Sequence, residues 1–356
     1  GVPLETQDWF FLMSPDAVRV PMVILAGLAT IIASQAVITG AFSLTQQAIQ
    51  LGLLPRMRIV QTSPGSAGQI YIPAINWMLL FGVWLLVVQF RNSSAMASAY
   101  GIAVTGTMVV TTCLAFVVVH KLWKWSMAKS LLVILPFLVI DLIFFGANIL
   151  RVVDGGWVPL AVGALICLII WIWVRGKRLI DTRENEGAMT LAELGKSLAK
   201  SKVARVDGTA VYLTANPEGV PGTILHNLKH NRVLHARNIV LSIRTASVPH
   251  VANEDRYTYV KVDENFARVT LHYGFMETPD VPNDLAQAIP AKDAPLNVMS
   301  TSYFMGKSVL SASKDEGLPL WQDIILIFLQ RNAYNPAEFF GIPSNRIVAL
   351  GGQVVI

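Results

Sequence analysis

Three groups of polar side chains stand inside otherwise apolar sequence, and each could do chemistry there. The stretch AYGIAVTGT, residues 99–107, carries Tyr100, Thr105 and Thr107, and Thr111 follows so that Tyr100, Thr107 and Thr111 share one helix face. Neutral oxygens of these types can replace hydration water around a hard monovalent cation. Two glycines and two alanines in the same stretch could loosen the helix and free backbone carbonyls, as in the broken helices of transporters. A packing notch for a neighbouring helix is the alternative. A second group, Gln35, Thr39, Ser43 and Gln46 with Ser34 alongside, forms a polar stripe beside a stripe of small residues, Ala29, Ala33, Ala36 and Gly40. Those oxygens suit either a transport path or hydrogen bonds between helices. The third group is Asp141, the one ionisable residue deep within an apolar run, with Asn148 seven residues on. A carboxylate there needs a partner or a function. A structural or gating hydrogen-bond network between Asp141 and Asn148 is the reading adopted.

Outside the apolar runs, His226, Lys229 and His230 form a short basic cluster. Two histidines at i and i+4 can bind zinc on a helix, but no Glu stands between them. A cation-rich surface turn with Arg232 and Arg237, or a regulatory anion or nucleotide pocket, fits better. No phosphate-loop, dinucleotide-loop or catalytic-triad spacing occurs, so an enzyme reading has nothing to rest on, and no cofactor is expected. Cys113 and Cys167 both lie in apolar runs, which leaves no disulfide framework.

The elements that must position these groups follow from composition. Of 356 residues, 53% are apolar and 14% charged, against about a quarter charged in a soluble protein. Mean hydropathy is +0.51. The shortage of charge is confined to residues 1–178, which hold 11 Lys/Arg and only 5 Asp/Glu. That half contains five runs long enough to span a bilayer, at about 20–42, 73–90, 95–119, 131–150 and 157–174. Arg56 and Arg58 follow the first run, Lys121, Lys124 and Lys129 the third, and Arg175, Lys177 and Arg178 the fifth, whereas the other two loops have one Arg each. By the positive-inside rule the N-terminal segment lies outside and everything after Arg175 is cytoplasmic. The basic excess is therefore topological, and nucleic acid is not expected as a partner.

Residues 179–204 read as a polar linker with an amphipathic helix over 189–201. Residues 205–356 read as a mixed α/β domain, with strands expected at 209–213, 238–243, 257–262, 268–272 and 346–356 and a helix at 320–331. The chain starts at Gly1 and carries no basic leader, so a piece of a longer protein is expected.

Several long strings give a sharper identification. Residues 31–56 (IIASQAVITGAFSLTQQAIQLGLLPR), 68–77 (GQIYIPAINW), 99–107 and 154–159 (DGGWVP) resemble the bacterial KUP/HAK/KT potassium uptake family. So do residues 213–235 (LTANPEGVPGTILHNLKHNRVLH), 273–282 (YGFMETPDVP) and 301–307 (TSYFMGK). The resemblance implies a twelve-helix transporter with a LeuT-like core, of which this chain would hold helices eight to twelve and the cytoplasmic domain. It implies inner-membrane K⁺ uptake, usually as symport with H⁺, and a homodimer. Tyr100 looks like the tyrosine that faces the ion, so Tyr100, Thr105, Thr107, Ser34, Gln35 and Thr39 are expected along the ion pathway. The carboxylates of the coupled site would lie on helices this chain lacks. A membrane-tethered regulatory or scaffold protein is the competing reading, which the oxygen-lined spans disfavour.

Overall fold

The computed structural model describes residues 13–355 apart from 63–68, 92, 186–188, 200, 202, 247, 291–292, 294, 298–299 and 312–316. Five long apolar helices come first. They are α1 (Asp16–Gln50), α2 (Pro73–Phe90), α3 (Ser93–Val117), α4 (Met127–Ile149) and α5 (Trp157–Asn185). Each is long and apolar enough to cross a membrane. Their outward side chains are large and apolar, among them Trp77, Phe81 and Leu132, which suits contact with lipid or with further helices.

Helix ends extend the apolar runs wherever the next residues are good helix formers. α1 begins four residues earlier than expected and continues to Gln50, because nothing in SLTQQAIQ breaks a helix. α4 starts at Met127, where the Ser126 hydroxyl accepts the Lys129 backbone N–H at 3.4 Å. α5 runs to Asn185, eleven residues past the expected span. The polar linker therefore begins as helix, and its amphipathic helix is shorter than expected: α6, Leu191–Ala199.

The chain divides into two compact units, one of residues 1–76 with 173–356 and one of residues 77–172. In the first, β1 (Val60–Gln61) and β2 (Ile70–Tyr71) form a small antiparallel ladder after α1. The α/β domain contains a six-stranded sheet. Its strands are β3 (Ala204–Leu213), β4 (Val233–Ala246), β5 (Tyr257–Lys261), β6 (Phe266–Gly274), β7 (Thr301–Ser311) and β8 (Ile347–Val355). The order is β5-β6-β4-β3-β7-β8, with every pair parallel except β5–β6. Crossovers carry α7 (Gly222–His226), α8 (Val281–Ala288), α9 (Leu320–Arg331) and α10 (Pro336–Phe339).

Period-two alternation in the strands builds one core on each face. Val211, Ile239, Leu241, Val269, Leu271 and Tyr303 pack with Val281 and Leu285 of α8 and Phe340 just beyond α10. The alternate residues Ala210, Tyr212, Val240 and Phe304 pack with Leu191 and Leu194 of α6 and Ile224 of α7. At Gly208 (φ 104°) β3 carries a bulge, and Ser300 O would lie 2.8 Å from any side-chain carbon added there. β7 is absent from the sequence expectation, because its apolar run is short and Gly306, Lys307 and Ser308 interrupt it.

Within this unit the segment after α1 is tied to the α/β domain. Gln50 Nε2 donates to Glu277 O at 2.6 Å, and Tyr334 N donates to Arg56 O at 2.7 Å. The Arg56 guanidinium lies over the Phe339 and Phe340 rings, 5.8 and 5.1 Å from their centroids. The Glu277 carboxylate fixes its own turn by accepting from Arg256 and from Gly274 N. Burial pushes that carboxyl up, but these bonds outweigh it and hold Glu277 below its ordinary value. Within α5, Arg175 donates to Gln322 of α9 at 3.4 Å.

Candidate functional site

Tyr100, Thr107 and Thr111 do share a face of α3, and that face lines an open groove of about 490 Å³. Ala103, Val104 and Met108 form its wall between them, and Thr112 with Asp141 of α4 closes one end. The spacing 100, 103/104, 107/108, 111/112 is the i, i+3/i+4 repeat of one helix face. Tyr100 is 71% exposed at the other end of the groove. What the groove offers a ligand is four hydroxyls and a carboxylate on a mostly apolar wall.

α3 is continuous α-helix across residues 99–107, which corrects the expectation of a loosened span. Thr105 Oγ1 donates to Gly101 O at 2.7 Å and Thr107 Oγ1 to Ala103 O at 2.8 Å, so these hydroxyls engage the helix they sit on. The glycines serve close packing instead. Asn148 Oδ1 of α4 occupies the place where a side chain on Gly101 would begin, and Phe145 Cε2 lies 3.6 Å from that place on Gly106. The notch alternative describes them. Beyond Val117 the helix widens to a π-turn, Val118–Leu122.

Two further corrections follow from the α3–α4 register. Gly101 meets Asn148, Gly106 meets Phe145, and Thr112 meets Asp141, so the two helices run antiparallel. Asp141 therefore bonds across to α3, where the Thr112 hydroxyl donates to Asp141 Oδ2 at 2.5 Å. Asn148 bonds back to Phe144 O at 3.0 Å and makes no network with Asp141. Seven residues of helix rise about 10.5 Å, too far for their side chains to touch. Thr105 stands apart from Tyr100 and Thr107. It is only 7% exposed and does not line the groove, since five residues turn it about 140° away from Tyr100. Thr112 is the residue that sequence reasoning missed. The one available signal was that Asp141 needed a donor, and several threonines qualified until the register was known.

Ser34, Gln35 and Thr39 are exposed on α1 in the other unit. Thr39 Oγ1 donates to Gln35 O at 2.9 Å, leaving the Gln35 amide on the helix surface. His226, Lys229 and His230 are exposed at the end of α7 and the π-turn that follows, Asn227–Asn231. The two imidazoles stack at 6.0 Å, and among the described residues no three His, Cys, Asp or Glu groups converge on a metal position. Asn227 Nδ2 reaches Val233 O at the start of β4, so this cluster sits at the amino ends of the strands. Doubly wound sheets bind ligands at the carboxyl ends.

Comparison with known proteins covers both units. Residues 2–178 match the family described as the K⁺ potassium transporter integral membrane domain, and residues 207–356 match the K⁺ potassium transporter C-terminal domain. Similar proteins include "Probable potassium transport system protein Kup 2" of Novosphingobium aromaticivorans, 52% identical over 99% of this chain and 55% of its own length. "Probable potassium transport system protein Kup 1" of Rhizorhabdus wittichii is 54% identical over 100% of this chain and 55% of its own. The Kup protein of Caulobacter vibrioides is 49% identical over 100% and 53%. The chain thus spans about half the length of the curated relatives it matches.

Proposed function

This chain belongs to the potassium transporter family, as a multi-pass membrane region followed by an α/β domain, and from that premise we propose that it works in K⁺ uptake across the bacterial inner membrane. The α3 groove carries the reading: Tyr100, Thr107 and Thr111 present oxygens in a file on one face of a membrane helix. On this reading K⁺ passes along that face and contacts the Tyr100 phenol. Ser34, Gln35 and Thr39 of α1 supply further oxygens along the path. Thr105 packs the helices, and the Asp141–Thr112 pair sets the α3–α4 register. Proton-coupled symport completes the proposal. The five spans act as the last five of a LeuT-like twelve-helix fold in a homodimer, and the longer relatives leave room for the remaining helices. No resident cofactor is required, since K⁺ and H⁺ are cargo. A nucleotide effector would reach the α/β domain at the carboxyl ends of β3 and β7, where the strand order reverses, more readily than at His226, Lys229 and His230.

The test is Rb⁺ uptake by the complete gene product in a bacterium stripped of its own K⁺ uptake systems. Growth at micromolar K⁺ and saturable Rb⁺ entry are expected. Normal membrane levels with no entry at either acidic or neutral external pH would remove the proposal.

Orientation has its own test. Lys/Arg asymmetry across the loops supports a cytoplasmic α/β domain, so Ser201→Cys is expected to resist an impermeant thiol reagent in intact cells and react in inverted vesicles. Labelling from outside in intact cells would reverse the topology.

A further inference from the structure

We propose that the turn joining α3 to α4 binds the phosphate headgroup of an anionic phospholipid. Lys121 and Lys124 lie exposed on this turn and Lys129 lies exposed in the first turn of α4. No carboxylate occurs in the chain between Asp16 and Asp141, and among the described residues none of the three lysines forms an ion pair. Three ammonium groups within nine residues therefore face no paired carboxylate among the described residues, and they make a positive patch that attracts an anion.

The turn is also rigidly built. The π-turn at Val118–Leu122 brings Trp123 N to Val118 O at 3.1 Å and Trp125 N to Val119 O at 3.2 Å. Lys124 takes a left-handed conformation (φ 54°), which few non-glycine residues adopt without a local reason. His120 Nδ1 lies 3.0 Å from Trp125 O, and Ser126 caps α4. The Trp123 and Trp125 rings are 5.9 Å apart, and Lys129 Nζ lies 5.4 Å from the Trp125 centroid.

Lipid fits this surface better than a free anion. Trp123 and Leu122 are 62% and 71% exposed beside the lysines, at the end of a membrane helix. Tryptophan favours the headgroup level of a bilayer, and clustered lysines at a span end hold anionic headgroups. A soluble phosphate would satisfy the charge and leave both apolar side chains in water. A phospholipid covers them with its glycerol and acyl chain. This inference rests on the membrane helices alone and is independent of the ion carried.

The complete gene product, purified in mild detergent, is to be mixed with phosphatidylglycerol or phosphatidylcholine and read by native mass spectrometry and thermal unfolding. Selective retention of phosphatidylglycerol and a raised unfolding temperature are expected. Each lysine is expected to contribute about fivefold in affinity, so Lys121→Gln with Lys124→Gln and Lys129→Gln should lose on the order of a hundredfold. The matching triple arginine variant should keep the lipid. Should the glutamine triple fail to insert, Lys124→Gln alone decides, with a drop of about fivefold expected. Unchanged phosphatidylglycerol retention in the glutamine variants overturns the proposal. So does equal stabilisation by inorganic phosphate, which would make the occupant a soluble anion.

Discussion

Tyr100→Ala is expected to cut Rb⁺ uptake by about ten- to a hundredfold in the complete transporter, and Tyr100→Phe by clearly less. A hydrogen-bond-strength contact to a charged group contributes roughly 1.5–3 kcal/mol, which sets that range. Phenylalanine keeps the aromatic face, and a ring beneath a desolvated cation retains about 0.5–2 kcal/mol. Alanine loses both. Fold damage is a poor alternative cause, because Tyr100 is 71% exposed in its unit. Uptake should be measured at matched membrane levels, with the Rb⁺ concentration varied so that lost affinity separates from lost capacity. Wild-type uptake by both variants would take Tyr100 out of the path. Thr105→Val serves as the contrast: its hydroxyl is spent on Gly101 O and faces away from the groove, so uptake should change little.

Asp141→Leu is expected to lower the amount of folded protein in the membrane, whereas Asp141→Asn should fold and transport. Asparagine keeps an oxygen for the Thr112 hydroxyl and removes only the charge. Leucine takes away the acceptor, and stranding a buried polar group costs roughly 1–3 kcal/mol. The Thr112 hydroxyl can recover part of this by bonding to the carbonyl four residues back, which places the expected loss at the lower end. The decisive variant is the double replacement, Asp141→Leu with Thr112→Val. Removing both partners should restore membrane levels toward wild type, since an apolar pair of similar shape is close to neutral. Fluorescence size-exclusion of detergent extracts gives the folded fraction for wild type, Asp141→Leu, Thr112→Val and the double variant. No coupling between the two sites would mean that the hydrogen bond contributes nothing. A well-folded but inactive Asp141→Asn at both mildly acidic and mildly alkaline pH would show that the charge itself is needed, and the pair would move from packing to transport.

Much of this protein is legible in one dimension because a bilayer is a severe solvent. Backbone groups in hydrocarbon must bond within their own segment, so an apolar run of about twenty residues has to be a helix, and α2 occupies 73–90 as its run requires. The same reasoning says nothing about where a helix stops once it enters water, and α5 continues through Arg175 and Lys177 to Asn185 on helix propensity and contact with α9. In the α/β half, strands with an unbroken apolar run could be read, while β7, whose run is interrupted by Gly306, Lys307 and Ser308, could not. Strand order lay beyond reach for a different reason: parallel neighbours are brought together by crossovers, and a crossover leaves no local mark on the strands it joins.

The candidate site divides the same way. The 3.6-residue period alone puts Tyr100, Thr107 and Thr111 on one face, so that file of oxygens was determined by sequence. Which residues face Asp141 depends on the register between two helices, and no periodicity within either helix contains that quantity. Side-chain shape decides it: Gly101 admits the Asn148 amide and Gly106 admits the Phe145 ring, and with those two contacts made, Asp141 arrives opposite Thr112.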